Sequence, residues 1–182
     1  MKEVSIYIVT GIRGRWQQDG HIGYALEYYK ENCKYPAVIR EVVPVQQMNE
    51  NRSTLEALIM ALHRMREKCI LTVYTESKYL YNGYEDAEYV KRWKKNDWTR
   101  SDGHEIKNRD KWQELDRLIQ GNLIRIDAGV ADPYNREYKI NDDKTELLEE
   151  EIDRLTGLFH MPKESSLPGA CRLSAEIDVT WA

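Results

Sequence analysis

The chain has 182 residues and a formal net charge of −4, long enough for one domain with a sizeable core. Its 41% hydrophobic and 32% charged residues, with no apolar run near the roughly 18 residues that a membrane span needs, exclude a disordered chain and a helical membrane protein. The negative balance also excludes a protein whose whole surface grips nucleic acid, because phosphate contacts need cations, so any such binding is local.

Met1 to Val4 pass directly into a strand-like run, with no basic region and long apolar stretch before it, so no secretory leader and a cytoplasmic location are expected. Cys33, Cys69 and Cys171 are odd in number and far apart, which argues against a disulfide framework and a structural zinc site.

Val4 to Val9 is apolar and rich in Val, Ile and Tyr, ends at Thr10-Gly11, and reads as a buried strand. Arg13, Gly14, Arg15 and Trp16 follow in a loop where two arginines beside a flexible glycine suit a phosphate or an acidic partner. An ordinary exposed hairpin loop fits them equally well. His21 to Tyr29 and Ala37 to Val45 continue an antiparallel meander, with Pro44 marking an edge or an end.

From Asn51 onward Leu55, Leu58, Ile59, Leu62 and Met65 fall at helical spacing, and Ser53 with Glu56 forms a capping box. Ile70 to Thr75 is a fourth strand. Lys78 to Gln120 reads as helical pieces, broken around Asn82-Gly83 and Ser101-Asp102-Gly103. Asn122 to Ile126 supplies a fifth strand. Crossover connections around the fourth strand then require a mixed sheet with helices packed on it, an α/β fold.

Within the helical pieces Lys91, Arg92, Lys94, Lys95, Arg100, Lys107, Arg109 and Lys111 stand against four acids, a local net of +4, with Trp93, Trp98 and Trp112 interleaved. Cations among aromatics suit phosphate contact and base stacking. The plainer alternative is that the tryptophans pack the helices while the lysines are solvated. Beyond Asn141 seven acids against Lys144 form an acidic helix from Asp142 to Asp153 with Leu147, Leu148, Ile152 and Leu155 on its apolar side. The expected division is therefore a domain over 1–140 and an acidic helical extension with a tail over 141–182.

The segment from Trp93 to Trp98 and the run from Ile106 to Leu115 resemble the basic handle and following helix of the type 1 ribonuclease H family. Asn51 to Leu58 resembles that family's first helix, and Val73 to Leu80 its fourth strand and turn. The resemblance implies a ribonuclease H-like five-stranded mixed sheet, and a site where four carboxylates bind two divalent metals. Here the first-strand position falls at Val9 or Thr10 and the helix position at Thr54, and only Glu76 keeps a carboxylate. Glu56 lies about 200° around the helix from Thr54 and points elsewhere. The loop from Ala128 to Asp132 lacks the family's usual His, and the last acid falls near Glu137 or Lys139.

Vestigial site candidates are thus Thr10, Thr54, Glu76, Asp127 and Glu137, with Asp127 or Asp132 able to replace a lost acid by migration. His21, His63, His104 and His160 form no pair at ligand spacing and carry no chemistry. Because lost anions weaken binding of a doubly charged ion, the expectation is no cofactor, with magnesium or manganese at Glu76 as the alternative. The expected interface comprises Arg13, Arg15, Trp16, Lys91, Arg92, Trp93, Lys94, Lys95, Trp98, Arg100 and Lys107.

A scaffold that keeps a basic handle and drops metal ligands points to binding without cleavage. The opening segment and the overall size also resemble anti-CRISPR proteins, so the first expectation is inhibition of an RNA-guided CRISPR effector nuclease, through that nuclease or its guide or target nucleic acid. The alternatives are a divergent metal-dependent ribonuclease H acting on RNA–DNA hybrids and a non-catalytic accessory protein of a mobile element. Double-stranded DNA is a further candidate ligand, and no membrane partner is expected.

Overall fold

The structure, a computed structural model, describes residues 1–85 and 89–128. Five strands, β1 (Lys2–Thr10), β2 (Gln18–Tyr28), β3 (Ala37–Met48), β4 (Cys69–Thr75) and β5 (Leu123–Ala128), form one sheet in the order β3-β2-β1-β4-β5. The first three are an antiparallel meander, and β4 and β5 run parallel to β1 and to each other. Helix α1 (Glu50–His63) makes the crossover to β4. Helices α2 (Lys78–Tyr84), α3 (Tyr89–Lys95) and α4 (Arg109–Ile119) lie between β4 and β5. This is the mixed α/β sheet expected from the sequence. The acidic C-terminal helix and tail, and with them the boundary between 1–140 and 141–182, lie outside the described residues. Among the described residues no helix is long and apolar enough to cross a membrane.

The central strand β1 is buried on both faces, which is why its sequence is continuously apolar from Ile6 to Val9. Val4, Ile6 and Ile8 join Ile22, Tyr24, Leu71 and Val73 under the helices, while Tyr7 and Val9 pack with Ala25 and Tyr74 on the opposite face. The alternation follows from the two-residue period of a strand. Pro44 sits in β3, the outermost strand of the sheet, where a missing N–H costs no ladder bond.

Two local expectations are corrected. Helix α1 begins at Glu50, capped by Asn49, whose side chain accepts from the Arg52 N–H at 3.0 Å. Ser53 is therefore inside the helix and fully buried, and Glu56 pairs with Lys111 at 2.7 Å instead of closing a capping box. The second correction concerns Asn82-Gly83, which does not break the chain but lies within α2. Gly83 is there because a Cβ would come within 2.3 Å of the Trp112 ring. Trp112 is fully buried, donates its Nε1–H to the Tyr79 hydroxyl at 2.7 Å, and meets Trp93 edge-on at 5.5 Å.

Alanine normally stabilises a helix interior by about 0.5–1 kcal/mol relative to glycine. At position 83 the clash with Trp112 reverses that sign, and G83A should cost about 1–3 kcal/mol in urea unfolding. A neutral or stabilising result would disprove the packing argument.

The N-termini of α1 and α4 are stapled by Arg52, whose Nη1 and Nη2 reach the two carboxylate oxygens of Asp110 at 3.0 and 2.6 Å. The hydrogen-bonded guanidinium of Arg52 holds the Asp110 carboxyl below the usual carboxylate range. Folding then favours the ionised form, so the stabilisation is present above the unfolded value of about 4 and is lost as pH falls through the folded value. D110N should melt below the wild type at pH 7, and the two should converge in thermal scans as the pH drops below that range. A gap that stays constant down to pH 2 would contradict the linkage.

Candidate active site

The ends of β1 and β4, side by side in the parallel pair, meet the first turns of α1, and between them lies a small cleft lined by Ile8, Thr10, Arg13, Glu50, Thr54, Thr75, Glu76 and Ser77. Three of the sequence-expected positions, Thr10, Thr54 and Glu76, therefore converge. Thr10 and not Val9 is the β1 member, since Val9 packs on the other face. Asp127 lies on β5, but its side chain, together with Asp132, Glu137 and Lys139, lies outside the described residues.

The hydroxyls in the cleft are committed to the scaffold. The Ile12 N–H donates to Thr10 Oγ1 at 3.1 Å, Thr10 and Ser53 share a 2.7 Å bond, and Ser53 Oγ donates to the Glu50 carbonyl at 2.8 Å. Since Ser53 has one proton and spends it on that carbonyl, Thr10 is the donor to Ser53. Thr54 Oγ1 donates to the same carbonyl at 2.9 Å. Thr10 thus ties β1 to α1 and Thr54 is bonded within α1, at two positions where the family pattern has anions.

Sequence reasoning missed Glu50. It stands four residues before Thr54, one helical turn away and on the same face, and restores a carboxylate near the position vacated at 54. The signal is that i, i+4 spacing, hidden when the helix is taken to begin at Asn51. Glu50 Oε2 accepts from the Gly14 N–H at 2.7 Å, and Glu50 Oε1 lies 3.8 Å from Arg13 Nη1. Arg13 Nη2 is 3.0 Å from Glu76 Oε2. Arg13, read from the sequence as a phosphate or partner contact, instead faces both carboxylates.

Glu50 and Glu76 supply two negative charges from the hard oxygen donors that magnesium or manganese prefers. They fit one divalent ion; a pair carrying four positive charges would need further anions. Among the described residues no group of three or more His, Cys, Asp and Glu is poised on a metal.

The expected nucleic-acid residues divide. Trp93 and Trp98 are partly buried against the core, Lys94 pairs with Asp116 at 2.9 Å, Arg100 with Asp102 at 3.0 Å, and Arg92 lies over the Tyr89 ring. Both tryptophans thus pack in part against the core. Lys91, Lys95 and Lys107 are exposed. So is Trp16, 73% exposed, with the Arg15 guanidinium 5.0 Å from its ring centroid. The roomier apolar pocket between Lys2, Tyr28, Ile39 and Met65 lies at the opposite end of β1 from this chemistry.

A family model described as RNase H matches residues 1–128. The ribonuclease H of Acetivibrio thermocellus is 37% identical over 125 residues, covering 69% of this chain and 80% of that protein. Ribonuclease HI of Haemophilus influenzae is 37% identical over 97 residues, 53% of this chain and 62% of that protein, so less than two thirds of the latter is spanned. Among solved structures, LC9-RNase H1, a type 1 RNase H with the type 2 active-site motif, superposes with a TM-score of 0.63 at 19% identity, covering 87% of this chain and 74% of that one. The foamy viral protease-reverse transcriptase in complex with RNA/DNA hybrid gives 0.57 at 11% identity, covering 85% of this chain and 20% of that one. The structural likenesses bear on the fold alone.

These matches overturn the expectation of no cofactor, because ribonucleases H are magnesium-dependent enzymes. The physical basis of the error is Glu50: carboxylates are missing at positions 10 and 54, yet a second one from the first turn of α1 lines the cleft with Glu76.

The Thr10–Ser53 bond gives a direct check on how the cleft is held. S53A leaves the buried Thr10 hydroxyl without its acceptor and should cost about 1–2 kcal/mol in urea unfolding. An unchanged midpoint would show that the bond contributes nothing.

Proposed function

Because the chain belongs to the ribonuclease H family, we propose that it is a divergent metal-dependent ribonuclease H that binds RNA–DNA hybrids and cleaves their RNA strand. The observation that carries this reading is the convergence of Glu50 and Glu76 in one cleft at the ends of β1 and β4. Glu50 and Glu76 would hold a magnesium or manganese ion, which supplies Lewis-acid charge for a phosphodiester and lowers the pKa of a bound water.

The remaining residues position. Arg52 staples the N-terminus of α4 beside that of α1, which brings the segment Lys107 to Arg109 close to the cleft. Asn108, left-handed at φ 59°, turns the backbone there, and its carboxamide oxygen lies 3.5 Å from Arg52 Nη1. Lys95 and Lys107 offer charge to the phosphate backbone of a hybrid, while Arg15 and Trp16 present a cation and a ring on the loop that carries Arg13. A cytoplasmic location belongs to the same proposal. Inhibition of an RNA-guided nuclease, expected from the opening segment, gains nothing from the fold or from the relatives named above, all ribonucleases H or reverse transcriptase.

The test is cleavage of a labelled RNA–DNA hybrid in manganese and in magnesium. Loss of a residue that merely supports a metal costs roughly 10- to 100-fold, so E76A and E50A should each lose more than that. K95Q and K107Q should each lower the salt slope of hybrid binding by about 1. Hybrid binding without cutting in either metal would sink the hydrolytic reading and leave a binding protein, and no binding at all would sink both.

A further inference from the structure

We infer that Arg13 is a tethered occupant of the cation seat between Glu50 and Glu76, and that a divalent ion enters the cleft only by displacing its guanidinium. The inference rests on the metal-dependent reading above and adds a residue that governs access to the site.

The geometry shows a built contact. One nitrogen of the planar fork reaches Glu76 Oε2 at 3.0 Å and the other stands 3.8 Å from Glu50 Oε1, so a single delocalised charge spans the carboxylate pair. The backbone around Arg13 is fixed by three further bonds. The Gly14 N–H donates to Glu50 Oε2 at 2.7 Å, the Glu50 N–H donates back to the Gly14 carbonyl at 3.1 Å, and Gln18 Nε2 donates to the Arg13 carbonyl at 2.6 Å. Gly14 adopts φ +81°, a left-handed conformation in which a side chain is strained. The loop is thereby clamped to the first turn of α1, and Glu50 is aimed by the same bond that holds the loop.

Two consequences follow from charge. With Arg13 seated, the pair presents a net of one negative charge to an incoming ion; with Arg13 swung out, it presents two. The Arg13 side chain is 58% exposed, so it can leave toward solvent without opening the core. Arg15, on the same loop, stacks on Trp16 and does not line the cleft.

The experiment is a titration of the purified full chain with manganese alone, free ion being read by electron paramagnetic resonance. No nucleic acid is present. R13Q should bind manganese about tenfold or more tightly than the wild type, as expected for removing a charge within about 4 Å of both ligands. R13K, which keeps the charge but cannot span both carboxylates, should fall between them, and R15Q should match the wild type. In R13Q/E76Q the gain should vanish. Near-ultraviolet circular dichroism of each variant confirms folding.

Equal affinity in R13Q and the wild type overturns the inference while leaving metal-dependent cleavage standing. The same gain in R15Q, or its survival in R13Q/E76Q, also overturns it, by showing a bulk charge effect or another seat. Failure of both wild type and R13Q to take up manganese overturns the inference and the metal-dependent reading together.

Discussion

The pairing of β1 on both edges and its cover on both faces organise this molecule. Its antiparallel contact with β2 and its parallel contact with β4 pair its backbone polar groups along most of its length, and burial on both faces favours apolar side chains from Ile6 to Val9. The parallel half brings the ends of β1 and β4 to the same edge of the sheet. Helix α1 must cross over the sheet to join β3 to β4, and its first turn therefore arrives at that edge. The cleft is a consequence of this topology.

The electrostatics of the cleft then follow from which side chains the topology delivers. The hydroxyl at position 10 bonds across to Ser53 of α1 and the one at position 54 bonds within α1, so neither brings charge to the cleft. Two carboxylates remain, from different elements, and neither is left to repel the other because a guanidinium stands between them. The same loop that supplies the guanidinium also fixes Glu50 through a backbone bond. Binding, charge balance and loop geometry are thus one arrangement, centred on residues 13, 14, 50 and 76.

Much of this is legible in the amino-acid sequence. The period of two in β1 and the helical spacing from Leu55 to Leu62 are local consequences of burial, so strand and helix can be read from them. Glu76 is placed by its position after the fourth strand. The misreadings have physical causes. Ser53 and Glu56 have the spacing of a capping box, yet Asn49 takes the cap because its side chain meets the Arg52 N–H, a choice made by where β3 ends. Asn82-Gly83 has the composition of a break, yet the glycine serves a neighbouring tryptophan from α4. The tryptophans among the lysines also pack against the core, which their composition alone does not show.

The α/β class, the strands, the helical spacing of α1 and Pro44 as an edge or an end were set by the sequence, because each depends on a residue's own chemistry or on neighbours within a few positions; that Thr10 and not Val9 faces the cleft was decided by the fold. That Glu50 stands across from Glu76, that Arg13 lies between them and that Gly83 faces Trp112 was settled by the folded arrangement alone. Those contacts join residues 13, 50 and 76, or 83 and 112, and no local periodicity encodes which charge will meet which until the sheet and its crossover have brought them together.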